Sequence, residues 1–275
     1  MFNHLLQRHP HLAGAMESLA ATVAGHRSMV SVNTTNPQAL QAFLQAVRPM
    51  DTNLGLIRVG GETDGGYLVP DDLGGISTGF SPGVAATANF ELELAERGIT
   101  SYMADYSVDE EPIKHPLFHF EKKYLGIGND AVYTTLDDWV QRNAPPEGDL
   151  LLQMNIEGAE YAVLLDTDKR TLLRFRILVI EFHGLEQLIQ HKGFELINLA
   201  FSKLLKEFEV LHIHPNNCLK PFPFQDLEIP PVLEITFCRK DRITRAVPAS
   251  VFPHPLDRTN VLENADYPRP SCWHG

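Results

Sequence analysis

From about residue 76 onwards, the chain alternates between short apolar runs and stretches whose apolar residues recur at helical spacing. The apolar runs predict strands and the stretches between them predict helices. The predicted strands cover residues 76–80, 99–105, 117–126, 149–158, 177–184, 208–215 and 232–240, and the predicted helices cover 82–98, 134–144, 161–165 and 185–207. Strands that alternate with helices in this way indicate a mostly parallel, doubly wound sheet with both faces covered.

The ends of the chain depart from this alternation. Residues 1–50 have apolar positions at helical spacing and predict an N-terminal helical extension, whose second helix starts at Asn36-Pro37. Two short strands around the turn Gly60–Gly66 predict a hairpin. The last two strands have no helix between them, which favours an antiparallel pair at one edge. We therefore divide the chain into an extension (1–50), a central domain (51–242) and an irregular tail packed on that domain (243–275).

Composition narrows the class of protein. The formal net charge is −12 over 275 residues, and a nucleic-acid binder would need a basic face instead. No apolar run approaches the roughly 20 residues that span a bilayer, so we expect no membrane segment. Three widely spaced cysteines without a CxxC motif fit a reducing cytoplasm. We expect a cytoplasmic protein with a small-molecule partner, and its oligomeric state, including a homodimer, stays open.

Polar residues collect where the predicted strands end, which is where open α/β sheets bind ligands. Gly79 and Gly83 flank the turn after the first predicted strand, where they either approach a ligand or simply form a tight turn. Asp105 ends the second strand, and a carboxylate there can accept two hydrogen bonds from a ribose diol. Further along stand the other polar candidates: Asn155, Glu157, Glu160, Glu181 and His183.

Several motifs together resemble the FkbM-like branch of S-adenosylmethionine-dependent methyltransferases. The segments are DGGYLVPDDL (64–73), NFELELAERG (89–98), TTLDDWV (134–140), NIEGAEYAVL (155–164), LVIEFHGL (178–185), HIHPNN (212–217) and HPLDRTN (254–260). The resemblance implies a class I methyltransferase fold, Rossmann-like, with seven strands of which the last is antiparallel. It also implies S-adenosylmethionine at Gly79, Gly83 and Asp105, and O-methylation of a hydroxyl on a sugar or another small metabolite.

The chain departs from the family pattern at two places. The first strand carries no acidic residue to meet the ammonium group of the cofactor, so we expect Asp64 or Glu91 to substitute. Asn155 stands where the family usually has an aspartate, and an amide cannot take a proton. Methyl transfer to a hydroxyl needs a proton acceptor, and we predict His183 as the base with Glu157 as the second choice.

Three alternatives follow from the same residues. The asparagine at position 155 also suits a non-catalytic or regulatory S-adenosylmethionine-binding protein. A nicotinamide-dependent oxidoreductase would need GxGxxG after the first strand, and GFSPG does not supply it. Asn155, Glu181 and His183 have the atoms to hold Mg²⁺ or a similar divalent ion, which is a less favoured variant of the mechanism.

Overall fold

A seven-stranded sheet forms the centre of the computed structural model, which describes residues 33–62, 64–224 and 227–267. The strands in chain order are β1 (Thr78–Pro82), β2 (Thr100–Ala104), β3 (Phe118–Glu121), β4 (Leu150–Met154), β5 (Phe175–Phe182), β6 (Phe208–Pro215) and β7 (Leu233–Arg239). Their order across the sheet is β6-β7-β5-β4-β1-β2-β3.

Strand directions confirm the predicted fold class. The five strands from β5 to β3 pair in parallel, and β7 runs antiparallel to both of its neighbours, β5 and β6. Every residue of β4 and of β5 is buried, as expected for strands covered on both faces. The antiparallel edge pair predicted from the missing helix is β6 with β7.

The helices are α1 (Pro37–Ala46), α2 (Asn89–Glu96), α3 (Leu136–Asn143), α4 (Glu160–Asp166), α5 (Lys169–Leu172) and α6 (His191–Glu207), with 3-10 turns at Leu185–Ile189 and Lys240–Arg242. Asn36 caps α1 and Thr135 caps α3 through side-chain oxygens that accept backbone N–H groups. The long helix expected over 185–207 is divided, because Gln190 has an extended backbone. The helix expected from residue 82 starts only at Asn89, after an irregular loop.

Four two-stranded ribbons surround the central sheet. Leu56–Val59 pairs with Tyr67–Pro70 as the predicted hairpin, Met50–Thr52 pairs with Ala246–Pro248, Tyr124–Gly126 with Tyr133–Thr135, and Phe222–Phe224 with Leu227–Ile229. The strand expected over 117–126 is therefore two strands, since chain direction changes between Glu121 and Tyr124. The short strand at 246–248 ties the tail to the start of the central domain.

Apolar side chains fill both faces of the sheet. On one face Phe80, Trp139 and Phe175 pack edge to face beneath the helices. On the other, Tyr67 of the hairpin packs against Phe90 of α2 above Leu151 and Val179. The helix predicted near the N-terminus, within residues 1–32, lies outside the described residues, as does the last part of the tail. In the part of the chain that is described, no helix is both long and apolar enough to cross a bilayer.

Candidate active site

Gly83 follows β1 at the place where the ends of β1, β2 and β4 lie together. Its φ of +87° lies in the left-handed region, its N–H donates to the carbonyl of Ala104 at 2.9 Å, and the N–H of Asn155 donates to the carbonyl of Pro82 at 3.2 Å. A Cβ at position 83 would lie 1.6 Å from the carbonyl oxygen of Asn155. This position therefore requires glycine because two backbones meet there. A contact of Gly83 with cofactor stays a prediction.

Gly79 lies inside β1 rather than in the turn that follows it. The strand continues to Pro82, two residues beyond its predicted end, and Gly79 is buried at a place where an added Cβ would lie 3.5 Å from Cδ1 of Leu94, an ordinary van der Waals contact. The sequence placed the turn too early because Ser81 and Pro82 are weak strand formers. The structure consequently separates the two glycines, and only Gly83 borders the loop.

Asp105 directly follows β2 and holds the loop after β1. Its Oδ2 accepts the N–H of Ala85 at 2.9 Å, and its Oδ1 accepts both the N–H and the hydroxyl of Ser107 at 2.7 Å. A carboxylate offers about four acceptor sites, so these three bonds leave Oδ2 with room for one more donor. The position and the spare acceptor are compatible with the predicted ribose role.

The two acids predicted to substitute for the missing carboxylate lie in different surroundings. Glu91 is buried in the first turn of α2, and burial raises the pKa of its carboxyl group. Asp64 is exposed on the hairpin turn, where its Oδ1 accepts the amide of Asn260 at 3.1 Å. Of these two acids, Asp64 lies close to two further carboxylates, those of Glu181 and Glu234.

Asp64, Glu181 and Glu234 form an acid cluster in which one carboxylate oxygen of each lies within 4.8 Å of the others. Glu181 and Glu234 are direct partners in the β5–β7 register, and both are buried. Burial raises the pKa of both buried carboxyl groups; the charge of Glu234 adds to this effect at Glu181, and the charge of Asp64 adds to it at Glu234. The pair is therefore built to retain a proton or to meet a positive group.

Asparagine side chains hold the acid cluster. Asn155 donates through Nδ2 to Oε2 of Glu181 at 3.0 Å, and Asn216 donates to Oε1 of the same residue at 3.0 Å. Asn260 donates to both Asp64 and Glu234. An aspartate at position 155 would place another negative charge against Glu181. The departure at Asn155 thus has a local physical reason, since the amide is a donor to an acid that needs one.

His183 follows β5 and lies among carboxylates. Its Nδ1 is 3.0 Å from Oε1 of Glu160, and its Nε2 is 3.8 Å from Oε1 of Glu181 and 3.9 Å from Oε2 of Glu157. Burial lowers the pKa of His183, but the hydrogen bond and charge of Glu160, with the charges of Glu181 and Glu157, outweigh burial and raise it to about 9. The ring is consequently protonated at neutral pH in the absence of ligand.

The predicted catalytic residues Asn155, Glu157 and His183 thus meet at the carboxyl ends of β4 and β5. Glu234, Asn216 and Asn260 belong to the same polar group, and the sequence analysis gave none of them a catalytic or cofactor role. Glu234 did leave a signal, because a glutamate inside the apolar run VLEITF needs a polar neighbour when both faces of the strand are covered. Asn216 and Asn260 left no comparable signal.

Two groups of side chains could hold a divalent ion: the predicted set of Asn155, Glu181 and His183, and the acid cluster. Asn155 presents its amide N–H to Glu181, and its carbonyl oxygen accepts no hydrogen bond within the described residues. The acid cluster supplies three carboxylates close enough to share a cation, although such groups are common without one. A divalent ion stays a less favoured alternative.

Comparison with known proteins connects this site to a family. Residues 92–216 match the family model "Methyltransferase FkbM domain", which confirms the resemblance seen in the sequence. The matched range contains Asp105, the Asn155–Glu160 turn and His183. None of the curated proteins compared with the chain matches it.

Solved structures give distant likenesses. A fibrillarin/Nop5p complex shares 13% identity with a TM-score of 0.36, covering 59% of this chain and 72% of that one. A putative RNA methyltransferase from Pyrococcus horikoshii shares 11% identity with a TM-score of 0.31, covering 59% of this chain and 74% of that one. Spermidine synthase from Thermotoga maritima shares 11% identity with a TM-score of 0.31, covering 77% of this chain and 82% of that one. Because these identities and TM-scores are low, the fold assignment rests on the strand order of the sheet itself.

Proposed function

We propose that the protein is an S-adenosylmethionine-dependent O-methyltransferase that acts on a hydroxyl of a sugar or another small metabolite. The observation that supports this most directly is the meeting of Asn155, Glu157 and His183 at the carboxyl ends of β4 and β5, inside the range that matches the FkbM methyltransferase domain. The negative net charge and the acid cluster also suit a small neutral or cationic acceptor better than a polyanion.

The residues around the loop after β1 have the chemistry to hold the cofactor. Asp105 keeps a spare acceptor for a ribose hydroxyl, and the close backbone approach at Gly83 shapes the adjoining loop. Asp64 or Glu91 would meet the ammonium group. When bound, S-adenosylmethionine supplies an electrophilic methyl group on a positively charged sulfur.

His183 is the group that would take the proton of the acceptor hydroxyl. Proton acceptance requires the neutral ring, and a pKa of about 9 means that this form is a minority at neutral pH. We therefore expect turnover to rise with pH through the region around pH 9. A positively charged cofactor nearby would shift that rise to lower pH.

Transfer of labelled methyl groups tests the proposal. The purified protein would be incubated with methyl-labelled S-adenosylmethionine and a panel of sugars, polyols, phenols, amines and thiols, and products would be separated and counted. Label in a hydroxylated acceptor is expected, and label confined to amines or thiols would contradict O-methylation. Asp105→Ala serves as the cofactor-site control, because it should weaken binding of S-adenosylhomocysteine.

A second candidate is a non-catalytic S-adenosylmethionine-binding protein, favoured by the hydrogen bond from Asn155 to Glu181 in place of an acid at position 155. Calorimetric titration with S-adenosylhomocysteine combined with the acceptor panel separates the two. Binding without label transfer to any acceptor would favour this candidate. Thermal stabilisation by NAD but not by S-adenosylhomocysteine would exclude both.

A further inference from the structure

Glu160, the first residue of α4, is a fully buried carboxylate whose Oε1 lies within hydrogen-bond distance of three donors. Oε1 accepts the N–H of Ile156 at 3.2 Å and that of Gly158 at 3.1 Å, and it lies 3.0 Å from Nδ1 of His183. Two of these donors belong to the turn before the helix and the third belongs to the neighbouring strand end. Glu160 therefore connects the turn to the predicted base.

The turn holds this carboxylate in place before any ligand arrives. Glu157 has a φ of +58° and Gly158 a φ of +103°, so the backbone curls around the side chain of Glu160. Tyr161, the next residue of α4, donates its hydroxyl to the carbonyl oxygen of His183 at 2.8 Å. His183 is thus held at its ring by Glu160 and at its backbone by Tyr161.

The hydrogen bond at Nδ1 determines which ring nitrogen can act as a base. Oε1 already accepts two backbone N–H groups and is the acceptor here as well, so Nδ1 must carry the proton that it shares with Glu160. The lone pair of the neutral ring then resides on Nε2. The distances of 3.8 Å and 3.9 Å from Nε2 to Glu181 and Glu157 exceed hydrogen-bond length, so neither carboxylate takes up Nε2, and within the described part of the chain it is available to an acceptor molecule.

We infer that Glu160 is the positioning residue of the base: it fixes the ring of His183 and its Nδ1–H tautomer so that Nε2 faces the acceptor. In the step that this serves, the hydroxyl proton of the acceptor moves to Nε2 and the resulting imidazolium is stabilised by the carboxylate on the opposite side of the ring. The inference deepens the proposed function and rests on it for the identity of that step.

Among the residues that the structure describes, four carboxylates act on the ring of His183, each from a different element. Glu160 faces it from α4, Glu157 from the turn, Glu181 from β5 itself, and Glu186 from the 3-10 turn after β5. Only Glu160 combines a hydrogen bond to the ring with complete burial; Glu157 is mostly exposed, with 59% of its side chain accessible. Removing the charge of Glu160 should therefore change His183 most, and Glu157 provides the matched control.

Nitrogen-15 NMR of the substrate-free protein tests the inference without relying on activity. In the wild type we expect His183 to titrate near pH 9 and, above that pH, to show a protonated Nδ1 and an unprotonated Nε2. Glu160→Gln keeps the shape and an acceptor for the two backbone N–H groups. It should lower the midpoint by about 1 pH unit or more because the charge is gone, and it should keep the Nδ1–H tautomer because Oε1 remains an acceptor. Glu157→Gln should leave the tautomer unchanged and move the midpoint less.

A wild-type His183 with its proton on Nε2 would overturn the inference, and this result does not depend on whether a variant folds. An unchanged midpoint in a folded Glu160→Gln protein would also overturn it. The pH profile of methyl transfer then adds the link to function: the acid limb should move to lower pH in Glu160→Gln. If the NMR result is as expected but no acceptor is methylated in any form of the protein, the positioning stands and the proposed function fails.

Discussion

Buried charges pair with opposite charges at one end of β5 and face like charges at the other. At its start, Arg176 is 7% exposed and contacts Asp149 at 2.7 Å and Asp72 at 3.4 Å. Arg239 at the end of β7 shares Asp149, and Arg242 shares Asp72. At the other end of the same strand pair, Glu181 faces Glu234 across the register. Asp241 also pairs with Arg239, so three arginines meet three aspartates at one end, whereas acids face each other at the other.

The pKa values of Asp149 and Glu181, which lie at the two ends, are shifted in opposite directions. Although burial raises the pKa of Asp149, hydrogen bonds and charges from Arg239 and Arg176 outweigh it and lower the pKa overall. For Glu181, burial raises the pKa and the charge of Glu234 adds to it, against a smaller opposing effect of His183. Removing one partner from a paired network leaves a buried charge unpaired and destabilises the fold, while buried like charges favour the binding of a proton or a positive group. The comparison therefore separates a structural end of the strand from a functional one.

The largest expected effect lies at the structural end. Arg176→Met removes a buried charge that connects Asp72 with Asp149, and we expect the free energy of unfolding to fall by about 3 kcal/mol or more. Urea denaturation followed by circular dichroism measures it. Arg170→Met, at a side chain that is 92% exposed, is the control and should change stability little. A loss below about 1 kcal/mol for Arg176→Met would remove the contrast between the two ends.

The next effect lies at the functional end. His183→Ala should reduce turnover on the true acceptor by a factor on the order of 10² or more, because the proton acceptor is gone. Affinity for S-adenosylhomocysteine should stay nearly intact. Steady-state rates and calorimetry measure the two quantities, with His191→Ala as a control at an exposed histidine of α6. Unchanged turnover would remove His183 from the base role.

The pH dependence of stability should have opposite signs at the two ends. Glu181 has a raised pKa when folded, so the native state holds its proton longer and stability falls as pH rises above the ordinary carboxyl value, by up to about 1.4 kcal/mol per pH unit for one proton. Asp149 has a lowered pKa, so its contribution is present above the ordinary value and is lost as pH falls.

Denaturation midpoints measured from pH 3 to pH 9 check this pair. Glu181→Gln should flatten the loss of stability towards alkaline pH, and Asp149→Asn should weaken the fall towards acid pH. If both variants change the same limb of the profile, the two ends do not differ as described.

The smallest expected effect concerns Glu157, the second candidate for the base. Its side chain is largely exposed and lies 3.9 Å from Nε2 of His183. Because solvent screens such a charge, Glu157→Gln should change turnover by about twofold or less at physiological salt. A loss as large as that of His183→Ala would transfer the base assignment to Glu157.

Local patterns in the sequence were sufficient for most of the fold. The run FEVLHIHP predicts β6 with its observed bounds, and Asn36-Pro37 and Thr135 mark the observed starts of two helices. The start of α2 was predicted wrongly, because PGVAATANF has helix-forming alanines and the close approach of Gly83 to Asn155 is a tertiary contact.

The candidate site was less accessible from sequence. His183, Asn155 and Glu157 follow strand ends and could be listed because parallel strands end at one edge of a sheet. The pairing of Glu181 with Glu234 depends on strand order and register, which residues 53 positions apart do not reveal. The raised pKa of His183 likewise depends on carboxylates from separate elements. Sequence supplies the candidates, and topology decides which charges face them.

The position of β7 has a consequence for biosynthesis. β7 is the last strand of the sheet in the chain but lies between β5 and β6, so β6 gains its place only when residues 233–239 arrive. Until β7 is synthesised, the edge of β5 that pairs with β7 has no partner strand, and an unpaired apolar edge promotes aggregation. Chains that terminate before residue 233 should therefore be insoluble, and the apposition of Glu181 and Glu234 is established only late in translation.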